Sequence, residues 1–160
     1  MPVIPKDDAL RKLLGLVLCG GESRRMGRDK GLMLKDGVPW ALQMGEKMTR
    51  LGIPVVYSVN SGQRIAYSAI LSEEQMVFDS TSLAGPLNGL FTAHRCYPDR
   101  DIVLLACDML DMDMTTLESL IARYRQGGDY EFYAYEEGAW LQPFWRDIHG
   151  CRARQGRGAG

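Results

Sequence analysis

Two stretches of this sequence are apolar at almost every position, and they constrain the fold more than any other feature. The first runs from Leu13 to Cys19 and the second from Asp101 to Cys107. A strand with one face in water alternates apolar and polar residues, whereas a strand of a parallel sheet with helices on both faces is apolar nearly throughout. Both stretches therefore predict inner strands of a sheet that is covered on each side.

Strands and helices alternate along much of the remaining chain. Further strands are predicted at Pro54–Val59 and Gln75–Phe78, a short helix at Gln63–Leu71, and longer helices beginning at Pro39, Pro86 and Thr115. This order predicts the α/β class, with one Rossmann-like domain built on an open, mostly parallel sheet. Two late strands, Tyr130–Tyr135 and Ala139–Phe144, predict an antiparallel hairpin at or beyond the sheet edge.

Apolar side chains at helical spacing support the three longer helices. The predicted stripes are Trp40, Met44, Met48 and Leu51, then Leu87, Leu90, Phe91 and His94, then Leu117, Leu120, Ile121 and Tyr124. Thr115 and Glu118 fit a capping box, and Gly127-Gly128 supplies a stop. His94 is interpreted as a core histidine, because it falls on an apolar stripe.

The length and net charge of the chain argue against a nucleic-acid-binding protein and against a membrane protein. The chain has 160 residues with 46 % hydrophobic and 24 % charged, which suits one globular domain. Its formal net charge of −1 provides no overall basic field for nucleic acid, and its apolar runs are far shorter than the ~20 residues of a membrane helix. The acids and prolines of residues 1–8 do not form a secretory signal. We expect a cytoplasmic protein without nucleic-acid or membrane partners.

The predicted domain covers residues 13–148. Residues 1–12 are interpreted as an N-terminal extension and residues 149–160 as a mobile Gly/Arg-rich tail. The cysteines are Cys19, Cys96, Cys107 and Cys151, without a C-x-x-C pair, so free buried thiols are expected rather than disulfides or zinc ligands.

The loop after the first strand is the sharpest chemical feature. Adjacent Gly20 and Gly21 let backbone N–H groups approach a ligand, and residues 24–30 carry three arginines and a lysine, Lys30. This composition favours a polyphosphate, with Arg25 as a phosphate contact on grounds of charge; a solvated basic loop is the alternative. The loop is not a Walker A motif, because five residues separate Gly21 from Gly27 and Arg28 follows.

Two aspartates follow predicted strands. Asp108 comes after the apolar stretch that begins at Asp101, and one carboxylate there suits Mg²⁺ that is otherwise held by water and substrate phosphates. Asp79 is a candidate second metal ligand or a contact to a sugar or base, with a strand-end turn residue as the alternative. Asp113 is expected near a helix cap rather than in a metal loop.

Several motifs in order resemble the nucleotidyltransferases of the molybdenum cofactor guanylyltransferase type. The signature loop is L-x-G-G-x-S-x-R-M-G-x-D-K at residues 18–30, followed by Asn60, Asp79-Ser80, Gly85-Pro86-Leu87-x-Gly89, Cys107-Asp108 and Gln142-Pro143. The resemblance covers roughly residues 14–144. Cys19 stands where alanine is usual in the family.

The resemblance implies GMP transfer from Mg-GTP to the terminal phosphate of molybdopterin, with release of pyrophosphate. It implies that Leu18, Cys19, Gly20 and Gly21 line the nucleotide loop, that Lys30 contacts the nucleotide, and that Asn60 and Asp79 hold the guanosine. Asp108 would bind Mg²⁺, and Lys30, Arg25 and Asp108 form the expected catalytic set. Transient contact with molybdopterin-carrying proteins would follow.

The same sequence features are also compatible with two alternative functions. They are a related transferase that uses CTP or a sugar phosphate, and a GTP-binding module with impaired catalysis. Beyond Phe144 the family continues with strands and helices where this sequence has its Gly/Arg tail, so we expect a whole nucleotide half and a shortened molybdopterin half.

Overall fold

A computed structural model describes residues 8–20, 28–79 and 86–127, and the backbone of 132–137 and 140–145. It contains the helices α1 (Asp8–Lys12), α2 (Trp40–Thr49), α3 (Arg64–Tyr67), α4 (Pro86–Cys96) and α5 (Met114–Arg125). Its strands are β1 (Leu13–Leu18), β2 (Leu34–Lys35), β3 (Val38–Pro39), β4 (Val55–Val59), β5 (Met76–Phe78), β6 (Asp101–Ala106), β7 (Phe132–Glu137) and β8 (Trp140–Trp145). Within these residues no helix has both the length and the apolarity to cross a membrane.

The main sheet has six strands in the order β5-β4-β1-β6-β8-β7. The first four are parallel, and the register of the inner pair runs from Leu13 opposite Asp101 to Leu18 opposite Ala106. β8 pairs antiparallel with both β6 and β7, so the predicted hairpin forms one edge of the sheet. The mostly parallel α/β sheet predicted from the sequence is confirmed.

Side chains of β1 and β6 alternate between two cores. Leu13, Val17 and Val103 face the larger core, which α2 and α5 cover, while Leu14 and Ile102 face the smaller core beneath α4. The predicted stripe of α5 is buried at all four positions, and Met44 and Met48 of α2 are fully buried. Helices on both faces thus explain why both inner strands are apolar.

The helix α4 is rotated relative to its predicted stripe. From Asn88 onward, where the structure describes its side chains, Leu90 and Ala93 are the buried apolar residues of this helix, whereas His94 is partly exposed. The interpretation of His94 as a core histidine was therefore wrong. Leu90 and Ala93 face the sheet and fill the smaller core, so the side chain of His94 lies at the edge of the buried face of the helix.

Two local predictions also need correction. The first residue of α5 is Met114, and the Asp113 side chain caps this helix by accepting a hydrogen bond from Thr116 N at 2.6 Å. The expected cap near Asp113 is confirmed, whereas the capping box of Thr115 and Glu118 was wrong. The predicted helix at Gln63–Leu71 is shorter than expected, because α3 covers only Arg64–Tyr67.

A two-stranded ribbon of β2 and β3 was not predicted. Asp36 and Gly37 join the strands with positive φ angles of 54° and 78°. Asp-Gly is the usual signal of such a turn, but strands of two residues have no readable periodicity.

Candidate active site

The carboxyl ends of β1 and β6 lie side by side at the point where the strand order reverses. From β1 the chain continues to β4 and β5 on one side and then returns to β6 on the other. Cys107 N donates to Leu18 O at 3.1 Å, so the pairing continues just past the last strand residues. Open α/β sheets bind their ligands at such a switch point. Gly20 and Asp108 both lie there, as predicted.

Lys30 and Asp108 meet across this point, although 78 positions separate them in the sequence. Lys30 Nζ donates to Asp108 Oδ2 at 3.2 Å, and the two side chains are 40 % and 43 % exposed. Asp108 is exposed and ion-paired, because β6 ends at Ala106 before it. A lysine and a carboxylate in contact can exchange this pairing for a phosphate and a metal ion.

The donor set at Asp108 fits one hard cation carried by a substrate. A single accessible carboxylate is sufficient for Mg²⁺ when phosphates and water complete the octahedron. Among the described residues no group of three or more His, Cys, Asp or Glu side chains could hold a metal. The single carboxylate of Asp108 therefore fits a divalent cation whose remaining ligands are phosphate and water.

A network of side chains fixes the position of Lys30. Asp29 caps the turn Lys30–Leu32 by accepting from Gly31 N at 3.0 Å. Asp29 also accepts from Tyr67 OH at 2.8 Å and from Gln63 Nε2 at 2.6 Å. Burial, as the largest cause, raises the pKa of the Tyr67 hydroxyl, which therefore stays a donor at neutral pH.

Gln63 connects three parts of the site and was not predicted as a site residue. Besides Asp29, its Nε2 donates to Cys19 O at 2.9 Å, and its Oε1 accepts from Asn60 N at 2.9 Å. Asn60 in turn accepts from Gln63 N at 3.0 Å, which completes a capping box. The Asn60-x-x-Gln63 spacing was the available signal. Asn60 thus has a structural role beside the predicted contact to guanosine.

Asp79 lies against the glycine loop. Its Oδ1 accepts from Ser58 Oγ at 2.8 Å, and its Oδ2 is 2.8 Å from the place where a Cβ on Gly20 would stand. A side chain at residue 20 would therefore require the Asp79 carboxylate to move. Burial raises the pKa of Asp79, and the hydrogen bond from Ser58 lowers it in part.

The other predicted loop residues contribute mainly backbone. Leu18 packs against the smaller core, and the thiol of Cys19 is buried in the larger one. The neighbouring Cys107 thiol and burial raise the pKa of the Cys19 thiol, which therefore stays protonated at neutral pH. Gly21 and Arg25 lie outside the described residues, and their roles stay predictions.

One further contact holds the loop that carries Asp108. Lys47, on α2, donates from Nζ to Leu110 O at 3.0 Å and to Met112 O at 2.6 Å. Burial lowers the pKa of this ammonium group. The loop between β6 and α5 is therefore attached to α2, beside the edge of the candidate site.

Residues 15–155 match the family model described as MobA-like NTP transferase domain. The chain belongs to the MobA-like NTP transferase family. It is 33 % identical over 127 residues to a molybdenum cofactor guanylyltransferase of Pseudomonas entomophila, covering 72 % of this chain and 65 % of that protein. It is 34 % identical over 114 residues to a molybdenum cofactor biosynthesis bifunctional protein of Synechocystis, covering 71 % of this chain and 32 % of that one.

Solved structures show the same fold. The crystal structure of molybdopterin-guanine dinucleotide biosynthesis protein A from Archaeoglobus fulgidus superposes with a TM-score of 0.60 at 21 % identity, over 82 % of this chain and 64 % of that one. The chain thus spans about one third to two thirds of the length of these relatives.

Proposed function

We propose that this chain transfers GMP from Mg-GTP to the terminal phosphate of molybdopterin. An oxygen of that phosphate would attack the α-phosphorus of GTP, and the bond to the β-phosphate would break to release pyrophosphate. The contact of Lys30 with Asp108 at the switch point is the observation that carries the proposal. The names of the curated relatives support the choice of substrates. In this setting the cytoplasm is the proposed location, and carriers of molybdopterin are proposed as transient partners.

The chain's own residues would bind and orient the nucleotide. Gly20 gives the phosphates access to the backbone beside β1, and Lys30 supplies a fixed positive charge that the Asp29 network holds in place. Asp108 would hold Mg²⁺, which supplies charge neutralisation on the triphosphate. Transfer of this kind depends mainly on positioning and electrostatic stabilisation, so a protein nucleophile is not required.

The proposal is tested by pyrophosphate release from the chain with Mg²⁺, GTP and molybdopterin. Asp108→Asn keeps the size of the side chain but removes its charge, and turnover should fall on the order of 10²-fold or more, as for loss of a key electrostatic group. Asp111→Asn, an exposed aspartate of the same loop, is the matched control. Absence of pyrophosphate with the parent chain, or unchanged turnover in Asp108→Asn, would contradict the proposal.

A related transferase that uses CTP or a sugar phosphate is the second candidate. The observation in its favour is that Leu18 and Cys19 direct their side chains into the cores, so this segment offers backbone rather than a base-specific side chain. Competition between GTP, CTP and ATP at equal concentration separates the two candidates. GTP binding without turnover in the parent would instead indicate a binding module.

A further inference from the structure

The thiols of Cys19 and Cys107 are neighbours directly beneath the candidate site. Cys19 follows β1 and Cys107 follows β6, one residue beyond the register pair Leu18 and Ala106. Both side chains lie in the larger core, with 3 % and 8 % of their surface exposed. The proposed reaction has no use for either thiol.

The backbone geometry permits a bond between these sulfurs. Adjacent strands lie about 4.7–4.9 Å apart, within the range of about 4.4–6.8 Å that the Cα atoms of a disulfide span. The hydrogen bond from Cys107 N to Leu18 O shows that this spacing continues to the two cysteines. Their side chains also leave the sheet on the same face, as a bond requires.

We propose that Cys19 and Cys107 form an oxidisable dithiol, which hydrogen peroxide converts into a disulfide across the base of the candidate site. The near-complete burial of the pair favours a small oxidant over a bulky disulfide, and Cys107 is the more exposed thiol. The Cys107 sulfur attacks one peroxide oxygen, the O–O bond breaks, and the departing oxygen leaves as water with the thiol proton. The Cys19 sulfur then attacks the sulfenic acid of Cys107, and its S–O bond breaks to release a second water. Two thiols thereby lose two electrons, which reduce hydrogen peroxide to water.

Closing this bond would change the site above it. Cys19 immediately precedes Gly20, and Cys107 immediately precedes Asp108. Sulfurs in a disulfide are about 2.05 Å apart, closer than the sulfurs of two thiols in non-bonded contact, so bond formation draws the two segments together. Displacements of about 1 Å are enough to misplace binding groups measurably. The effect on nucleotide binding rests on the proposed function, whereas formation of the disulfide does not.

The first experiment asks whether the bond forms. The full chain with Cys96→Ser and Cys151→Ser keeps only the proposed pair of its four cysteines. After hydrogen peroxide, mass spectrometry should find the Cys19 and Cys107 peptides linked, and dithiothreitol should separate them. With Cys19→Ala in addition, dimedone should trap a sulfenic acid on Cys107. Unlinked thiols after peroxide, or a sulfenic acid that persists on Cys107 while Cys19 is present, would overturn the proposal.

The second experiment measures Mg-GTP binding by calorimetry before and after oxidation. The affinity should fall on the order of tenfold or more, in proportion to the linked fraction, and recover with dithiothreitol. If the disulfide forms and the affinity for Mg-GTP stays unchanged, the proposed effect of the disulfide on the candidate site is wrong. A reduced chain that fails to bind Mg-GTP, but still forms the bond, would count against the proposed function while supporting the dithiol.

Discussion

Asp79 combines an electrostatic cost with a candidate binding role. Its carboxylate is partly buried beside Gly20, and burial raises the pKa of Asp79 above its ordinary value of about 4. The folded chain therefore holds a proton there more firmly than the unfolded chain does. Between the ordinary and the raised pKa, stability falls as pH rises, because folding then requires the charged group to be desolvated.

Asp79→Asn should accordingly gain thermal stability relative to the parent as pH rises from about 4 to 7. Asparagine can still accept from Ser58 Oγ, so the local geometry is preserved. The same variant should bind Mg-GTP more weakly if Asp79 holds the guanosine part. Thermal melts at both pH values and calorimetry measure the two effects, with Asp111→Asn as the exposed control. A stability difference that is independent of pH would refute the electrostatic account.

The caps of the helices depend on single hydrogen bonds that sequence patterns locate only approximately. The sequence predicted two possible caps at the start of α5, a single cap by Asp113 and a capping box of Thr115 with Glu118. The structure shows the cap by Asp113. The backbone hydrogen bond from Thr116 lowers the pKa of Asp113. Its contribution to stability is thus present above the ordinary pKa and is lost as pH falls through the lowered one.

Asp113→Ala should lower the melting temperature at pH 7, and the loss should shrink as the pH falls below the ordinary aspartate pKa of about 4 and the cap becomes protonated. Thr115 is exposed in the first turn of α5, so Thr115→Ala should leave the melting temperature nearly unchanged. Thermal unfolding followed by circular dichroism compares the two variants. A larger loss of melting temperature in Thr115→Ala than in Asp113→Ala would show that the capping box of Thr115 and Glu118 stabilises the helix.

Burial explains which elements could be predicted from the sequence. β1, β6 and the buried face of α5 were predictable because each repeats one local pattern over at least six residues. The ribbon of β2 and β3 was not, since strands of two residues carry no period. The connections of Gln63 to Cys19 and Asp29 depend on distant segments meeting in space, which no local pattern encodes.

At the scale of the whole molecule, the fold brings two charged groups to one place from opposite sides of the strand reversal. Lys30 belongs to the segment after β1, while Asp108 follows β6. Their ion pair is about two-fifths exposed, so in the absence of ligand it should stabilise the fold by about 0–1 kcal/mol. We expect Lys30 and Asp108 to contribute more to ligand binding than to folding, because both groups would act on one triphosphate.

A double-mutant cycle tests this shared action. Lys30→Met, Asp108→Asn and the double variant are compared for Mg-GTP affinity by calorimetry and for thermal stability without ligand. The losses of affinity should be less than additive, with a coupling of about 0.5–3 kcal/mol, because either change alone already disrupts the common contact with the triphosphate. Arg50 and Glu46, an exposed ion pair at 2.9 Å at the C-terminal end of α2, provide the control cycle. Strictly additive losses at Lys30 and Asp108 would mean that the two residues act on separate ligands.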